Sequence, residues 1–200
     1  EDIAPWFDAG ERFALATVTR TWSSSPRPIG ASMAVSDAGE VVGSVSGGCV
    51  EGALYEACLE VLQTGTPQRV TYGVSDDDAF EVGLTCGGII ELFICAVDAE
   101  TFPQFADVRA AIRSDKPIAV ATMLTEGAAL GHRLVFTPTD STGSLGNAEL
   151  DASVLADARG LLEQGRTRTL MFGANGERRM DEVSVFIESY APAPRMIVFG

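Results

Sequence analysis

The sequence predicts an α/β fold: two copies of a strand–hairpin–helix–strand–strand unit forming one mixed-sheet domain, then the first strand of a nucleotide-binding βαβ domain. Three observations point there. Apolar residues alternate over short runs and then switch to helical spacing, in a fixed succession. That succession recurs about 100 residues later. A proline-spaced segment then leads into a basic–apolar–glycine tail.

Residues 5–11 read as the tail of a short helix, and 13–19, alternating Phe, Leu and Thr with Ala and Val, as a strand. The stretch from Trp22 to Gly30 is a turn-rich loop in which Pro26 and Pro28 fix φ and remove two amide donors. Strands over 32–36 and 41–45 are joined by Asp37-Ala38-Gly39, a hairpin signal. Val50, Leu54, Ala57, Cys58 and Val61 lie at helical spacing, so 49–62 reads as a helix that stops at Gly65. A strand over 69–72, an acidic loop over 75–86 and a strong strand over 89–97 complete the unit.

After a helical pattern over 102–113, Ala119-Val120-Ala121-Thr122 echoes Ala14-Leu15-Ala16-Thr17. Leu134-Val135-Phe136 echoes Met33-Ala34-Val35, and Gly143-Ser144 echoes Gly43-Ser44. A helix over 154–165 ends as the first one does, 168–173 matches 68–73, and Val185-Phe186-Ile187-Glu188 matches Leu92-Phe93-Ile94-Cys95. The expected pseudo-repeats are about 12–97 and 117–190, within a domain of residues 1–190. Ala191-Pro192-Ala193-Pro194 reads as an extended linker. Residues 195–200, Arg-Met-Ile-Val-Phe-Gly, read as the opening strand and glycine of a Rossmann-type domain, mostly missing from the chain.

Composition excludes several function classes. The 200 residues carry 28 acidic and 14 basic side chains, a net charge of −14. That is the wrong sign for nucleic acid or anionic membrane, whose binding rests on cationic contacts. Hydrophobic residues make up 46%, enough for a real core, and no apolar run approaches the ~20 residues of a membrane helix. The four cysteines form no CxxC pair, and His132 is the only histidine, which argues against a zinc site or a Ser/His/Asp triad. With no leader visible, a cytoplasmic protein with reduced thiols is the expectation.

Three constellations are the candidates for chemistry. Gly47-Gly48-Cys49-Val50-Glu51 sits at a strand-to-helix turn, where glycines admit close approach and free amides favour an anion or a thiolate. The second half has Asn147-Ala148-Glu149-Leu150-Asp151 there, so the acid persists while the glycines and cysteine do not. Glu51 then reads mainly as a helix-start acid, and Gly47, Gly48 and Cys49 as functional candidates. Cys86-Gly87-Gly88 precedes a strand in the first half only, and Cys86 is expected to face Cys49 across one pocket. Arg27, stiffened between two prolines, suits an anion. Cys58 and Cys95 read as packing residues, and Asp76-Asp77-Asp78 as a solvated loop.

These motifs resemble the XdhC/CoxI family: Ala16-Thr17-Val18, then Ser25-Pro26-Arg27-Pro28-Ile29-Gly30-Ala31, Gly43-Ser44-Val45-Ser46-Gly47-Gly48-Cys49-Val50-Glu51 and Cys86-Gly87-Gly88. The likeness is sharpest over 1–97 and looser over 98–190. One departure is Thr21-Trp22-Ser23-Ser24-Ser25, where the family more often has a glycine before Ser-Pro. The resemblance implies an accessory protein that binds molybdenum cofactor, a pterin carrying a phosphate and a dithiolene. It implies support for cofactor sulfuration and insertion into a molybdenum hydroxylase such as xanthine dehydrogenase or CO dehydrogenase, with no turnover of its own. Gly47, Gly48, Cys49, Glu51, Cys86, Gly87, Gly88 and Arg27 are the expected cofactor contacts, with Cys49 and Cys86 as soft ligands to molybdenum. The expected partners are the apo-hydroxylase, a cysteine desulfurase and a second copy of the chain. The alternatives are an NAD(P)-dependent oxidoreductase using the Rossmann-type domain and a structural interaction module.

Overall fold

Residues 2–22, 25, 27–73, 88–178 and 180–192 are described by a computed structural model. The first half runs α1 (Ala4–Asp8), β1 (Phe13–Trp22), β2 (Ser32–Ser36), β3 (Val41–Gly43), α2 (Glu51–Thr64), β4 (Gln68–Gly73) and β5 (Ile89–Val97). The second runs α3 (Phe105–Arg113), β6 (Ile118–Met123), β7 (Arg133–Phe136), β8 (Ser141–Gly143), α4 (Ala148–Glu163), β9 (Arg168–Phe172) and β10 (Val183–Tyr190). The acidic loop with Asp76-Asp77-Asp78, Cys86, Gly87 and the tail 195–200 lie outside the described residues.

Local chemistry explains several boundaries. β3 stops at Gly43 rather than residue 45 because Gly43 takes φ +84°, and a Cβ there would run into the backbone carbonyl of Ser32. The chain must therefore leave the sheet at that point. α2 ends as expected at Gly65, which adopts the left-handed conformation and donates its N–H to Val61. α4 starts six residues before the periodic run over 154–165, because the Asn147 side chain accepts the Glu149 amide at 2.9 Å and caps it.

The strands form two five-stranded sheets, ordered β3-β2-β1-β5-β4 and β8-β7-β6-β10-β9, so each half contributes one sheet and the two orders correspond strand for strand. Every ladder is antiparallel, which corrects the mixed sheet expected from the sequence. The reason is the length of the crossover. The helix connects strands at opposite edges of its sheet, β3 to β4 and β8 to β9, with three strands between them. The connected strands run the same way but never pair.

Side-chain alternation then builds three cores. Ala14, Ala16 and Val18 of β1 and Leu92 and Ile94 of β5 face Leu54, Cys58 and Val61 of α2. Ala119, Ala121, Val185 and Ile187 face Val154, Ala158 and Leu161 of α4. The opposite faces meet each other: Phe13, Phe93, Cys95 and Val97 of the first sheet pack with Ile118, Val120, Val135 and Phe186 of the second. The layers are thus helix, sheet, sheet, helix. Polar cross-links tie the inner layers together. Thr169 Oγ1 donates to the Thr19 carbonyl at 2.8 Å, and Arg69 donates to the Leu124 carbonyl at 3.1 Å while pairing with buried Glu91 at 2.7 Å. α1 and α3 close one end through the Phe7–Phe105 and Phe13–Phe105 ring contacts.

Candidate functional site

The loop between β3 and α2 is held from one point, the carboxylate of Glu51. Its Oε1 accepts the amides of Val45, Ser46 and Gly47 at 3.2, 2.9 and 3.0 Å and the Ser44 hydroxyl at 2.7 Å. Its Oε2 accepts the amides of Gly48 and Val50 at 2.8 and 3.2 Å and the Ser46 hydroxyl. Burial by itself would raise this carboxyl, but the hydrogen bonds from Ser46 and Ser44 hold it well below the usual carboxylate range. Glu51 therefore organises the turn before the helix rather than only favouring the helix start. It also takes up the Gly47 and Gly48 amides that the sequence offered to an outside anion.

What the loop presents outward is different. Gly47 and Gly48 are exposed at φ +77° and +117°, and a Cβ on either would meet nothing within 4 Å. A ligand can come onto bare backbone there. Cys49 follows, half-buried against the α2-side core, with its amide on the Ser46 hydroxyl at 3.0 Å. This donor set fits a bulky ligand with a soft centre: open backbone for approach and one thiol beside it. Ser44 and Ser46 were not singled out by sequence reasoning. The available signal was the Ser–acid pair seven residues apart in both halves, since Ser144 Oγ donates to Asp151 at 2.7 Å.

The remaining expected residues are placed as follows. Arg27 is exposed in its loop, with its carbonyl accepting the Ser25 hydroxyl at 2.7 Å. Gly88 is buried at the entry to β5, and its carbonyl lies 2.9 Å from where a Cβ on Gly73 would sit. The expected meeting of Cys86 with Cys49 falls outside the described residues. Cys58 and Cys95 are buried; desolvation pushes the Cys58 thiol up to about 12 and raises that of Cys95. Among the described residues, no group of three or more His, Cys, Asp or Glu side chains is arranged to hold a metal ion. No helix among them is long and apolar enough to cross a membrane.

Comparison with known proteins places this architecture. A family model described as the XdhC and CoxI family matches residues 6–73 and 111–173. The molybdenum cofactor insertion chaperone PaoD of Escherichia coli K12 is 37% identical over 84 residues, 42% of this chain and 26% of PaoD. A protein of Bacillus subtilis 168 named as a probable xanthine dehydrogenase component is 25% identical over 192 residues, 95% of this chain and 53% of that protein. The chain thus spans between about a quarter and a half of these relatives. A crystal structure of a xanthine dehydrogenase from Bacillus halodurans superposes with a TM-score of 0.65 at 21% identity, over 91% of this chain and 49% of that one, and shares its fold. The matched segments take in β1 to β4 with the Glu51-held loop and, in the second half, the end of α3 and β6 to β9, and on that evidence the chain belongs to the XdhC and CoxI family.

Proposed function

We propose that this chain is the cofactor-handling part of an accessory protein that receives molybdenum cofactor and passes it to an apo-molybdenum hydroxylase of the xanthine dehydrogenase type. The observation that carries the reading is the Glu51-locked loop, which offers exposed Gly47 and Gly48 beside the Cys49 thiol. The likeness to a molybdenum cofactor insertion chaperone supports it. The pterin side of the cofactor would lie on the open glycines, with Arg27 and Gly88 on flanking segments and Cys49 as the soft donor. Cys86 and Gly87 complete the set in this reading. The cofactor supplies the molybdenum chemistry, and the chain's part is to hold it and keep it from water. Sulfuration by a cysteine desulfurase and pairing of two copies belong to the same proposal. So does descent of the two sheets from one duplicated unit.

The test is co-elution. The purified chain is mixed with molybdenum cofactor, gel-filtered, and offered to an apo-hydroxylase. Stoichiometric retention that Cys49→Ala or Cys86→Ala lowers at least tenfold, with hydroxylase activity restored only by the loaded wild type, is the expected result. Retention unchanged in both variants refutes the assignment of the thiols, and no retention by the wild type refutes cofactor handling.

A further inference from the structure

Between the two sheets lies a cavity that the Glu51 loop does not touch. Its inner chamber is lined by two matched sets of strand residues. Leu15 pairs across the ladder with Cys95, and Thr17 with Phe93; in the second sheet Val120 pairs with Glu188, and Thr122 with Phe186. The two sets occupy corresponding register positions in the two sheets. The chemistry is nonetheless one-sided, because a carboxyl stands where the first sheet has a thiol.

Glu188 is in an unusual position. It opens on both this chamber and a wider adjoining cavity of about 330 Å³. The wider cavity has mostly apolar walls, from Ile3, Leu15, Phe105, Val108 and Ile112; Arg109 and Arg113 also line it, Arg109 paired with Asp8 at 2.6 Å. Arg133, which shares the inner chamber with Glu188, is committed elsewhere. It donates to Cys95 Sγ at 2.9 Å and to the Thr101 carbonyl at 3.3 Å, and stacks 4.3 Å over Phe102. Among the described residues Glu188 has no ion pair, and its one hydrogen bond is a long one of 3.3 Å from the Tyr190 hydroxyl. Burial pushes its carboxyl up to about 7, with Arg133 and Tyr190 only partly opposing. A half-buried carboxyl against largely apolar walls, with no ion pair and one long hydrogen bond, costs stability, and such groups persist where they meet a ligand.

We propose that this cavity binds a small flat heterocycle carrying an N–C–NH2 edge, with its ring against Leu15, Phe105 and Val108 and its edge on Glu188. The match is one of donor count. The ionised carboxylate accepts two N–H groups from such an edge when the ring nitrogen is protonated. The neutral acid donates to the bare ring nitrogen and accepts from the amino group. Either way two parallel hydrogen bonds form, and the proton stays within the pair. The cavity size suits one or two fused rings. The site stands apart from the Gly47–Cys49 loop, since Cys49 packs on the α2 side of the first sheet and the cavity lies on its other face.

The probe is 2-aminobenzimidazole, titrated calorimetrically into the purified chain at neutral pH, with indole as a ring of like shape lacking the edge. The wild type is expected to bind the probe saturably, and Glu188→Leu, which offers the edge neither donor nor acceptor, to weaken it about tenfold or more while leaving indole binding in place. Val108→Trp, which fills the apolar cavity, is expected to remove binding of both. Folding of each variant is checked by its near-ultraviolet circular dichroism. Equal probe affinity in wild type and a folded Glu188→Leu overturns the proposal. So does retained binding in a folded Val108→Trp, or no saturable binding at about 5 mM probe. Cofactor co-elution is measured separately and does not bear on this result.

Discussion

Replacing Glu51 by Gln tests the claim that one carboxylate organises the functional loop. Each Glu51 oxygen receives at least two backbone amides: Val45, Ser46 and Gly47 on one, Gly48 and Val50 on the other. Gln has a single acceptor oxygen, so either orientation of its amide sets an NH2 against two or more N–H donors. Stranding two partly exposed amides and losing the charge costs about 3 kcal/mol. For a chain of this length that lowers Tm by about 6–12 °C. Asp151→Asn is the matched comparison. Asp151 receives one amide, Leu145, on one oxygen and the Ser144 hydroxyl on the other. Asn satisfies both, its oxygen accepting from Leu145 and its NH2 donating to Ser144, so the cost stays below about 1 kcal/mol. The pH dependence gives a second reading. Glu51 titrates below its unfolded value, so its contribution is present above about pH 4.5 and is lost as pH falls through the lower folded value. The gap between wild type and Glu51→Gln should therefore narrow in acid. Thermal melts followed by circular dichroism at neutral and acid pH measure this. Equal losses in the two variants, or a Glu51→Gln melt within about 2 °C of wild type, would refute the reasoning.

Three further outcomes follow from the same structure. Glu188 has a folded value near 7 against an ordinary 4.5, so the native state holds a proton the unfolded chain gives up between those values, and stability falls as pH rises through that window. The fall is about 3 kcal/mol in all and then levels off; Glu188→Gln should abolish it, and denaturant melts at pH near 5 and near 8 that show the same slope in both proteins would count against a raised Glu188 carboxyl. Cys58 and Cys95, buried with raised thiols, should resist iodoacetamide in the native chain and react once it is unfolded, as read by peptide mass spectrometry; native-state labelling of either would contradict their place in the core. Gly47→Ala meets open space and should cost only the left-handed strain of about 1–2 kcal/mol, whereas Gly43→Ala also drives a Cβ into the Ser32 carbonyl and should cost clearly more; the reverse ranking in thermal melts would show that the Gly43 turn is not sterically fixed.

Much of the architecture was legible because its signals are local. β5 runs over 89–97 as its apolar stretch, interrupted only by Glu91, implies, and the residues before Gly65 stop where a left-handed cap ends a helix. The site was legible only in part. The Gly47-Gly48-Cys49 turn drew attention through its absence from the second half, but the reach of Glu51 back to Val45 and Ser44 depends on how the loop curls over the helix. No spacing rule announces seven donors on one carboxylate. In the sequence Glu188 is only the counterpart of Cys95 in a matching strand. Its importance arises from facing Cys95 and Arg133 across the inter-sheet layer.

Periodicity and the recurrence near 100 residues determined the order of the elements, the two halves and the family resemblance, because each is read along the chain without knowing which segments meet in space. Which strands pair, and in which sense, was decided by tertiary structure. A crossover helix can return its strand beside the one it left or at the far edge, and only the β1 and β5 ladders, which fill the middle of the sheet, force the far edge and an antiparallel result. The same packing of two sheets face to face created the cavity and isolated Glu188 within it, since burial and the commitment of Arg133 elsewhere are properties of distant segments brought together.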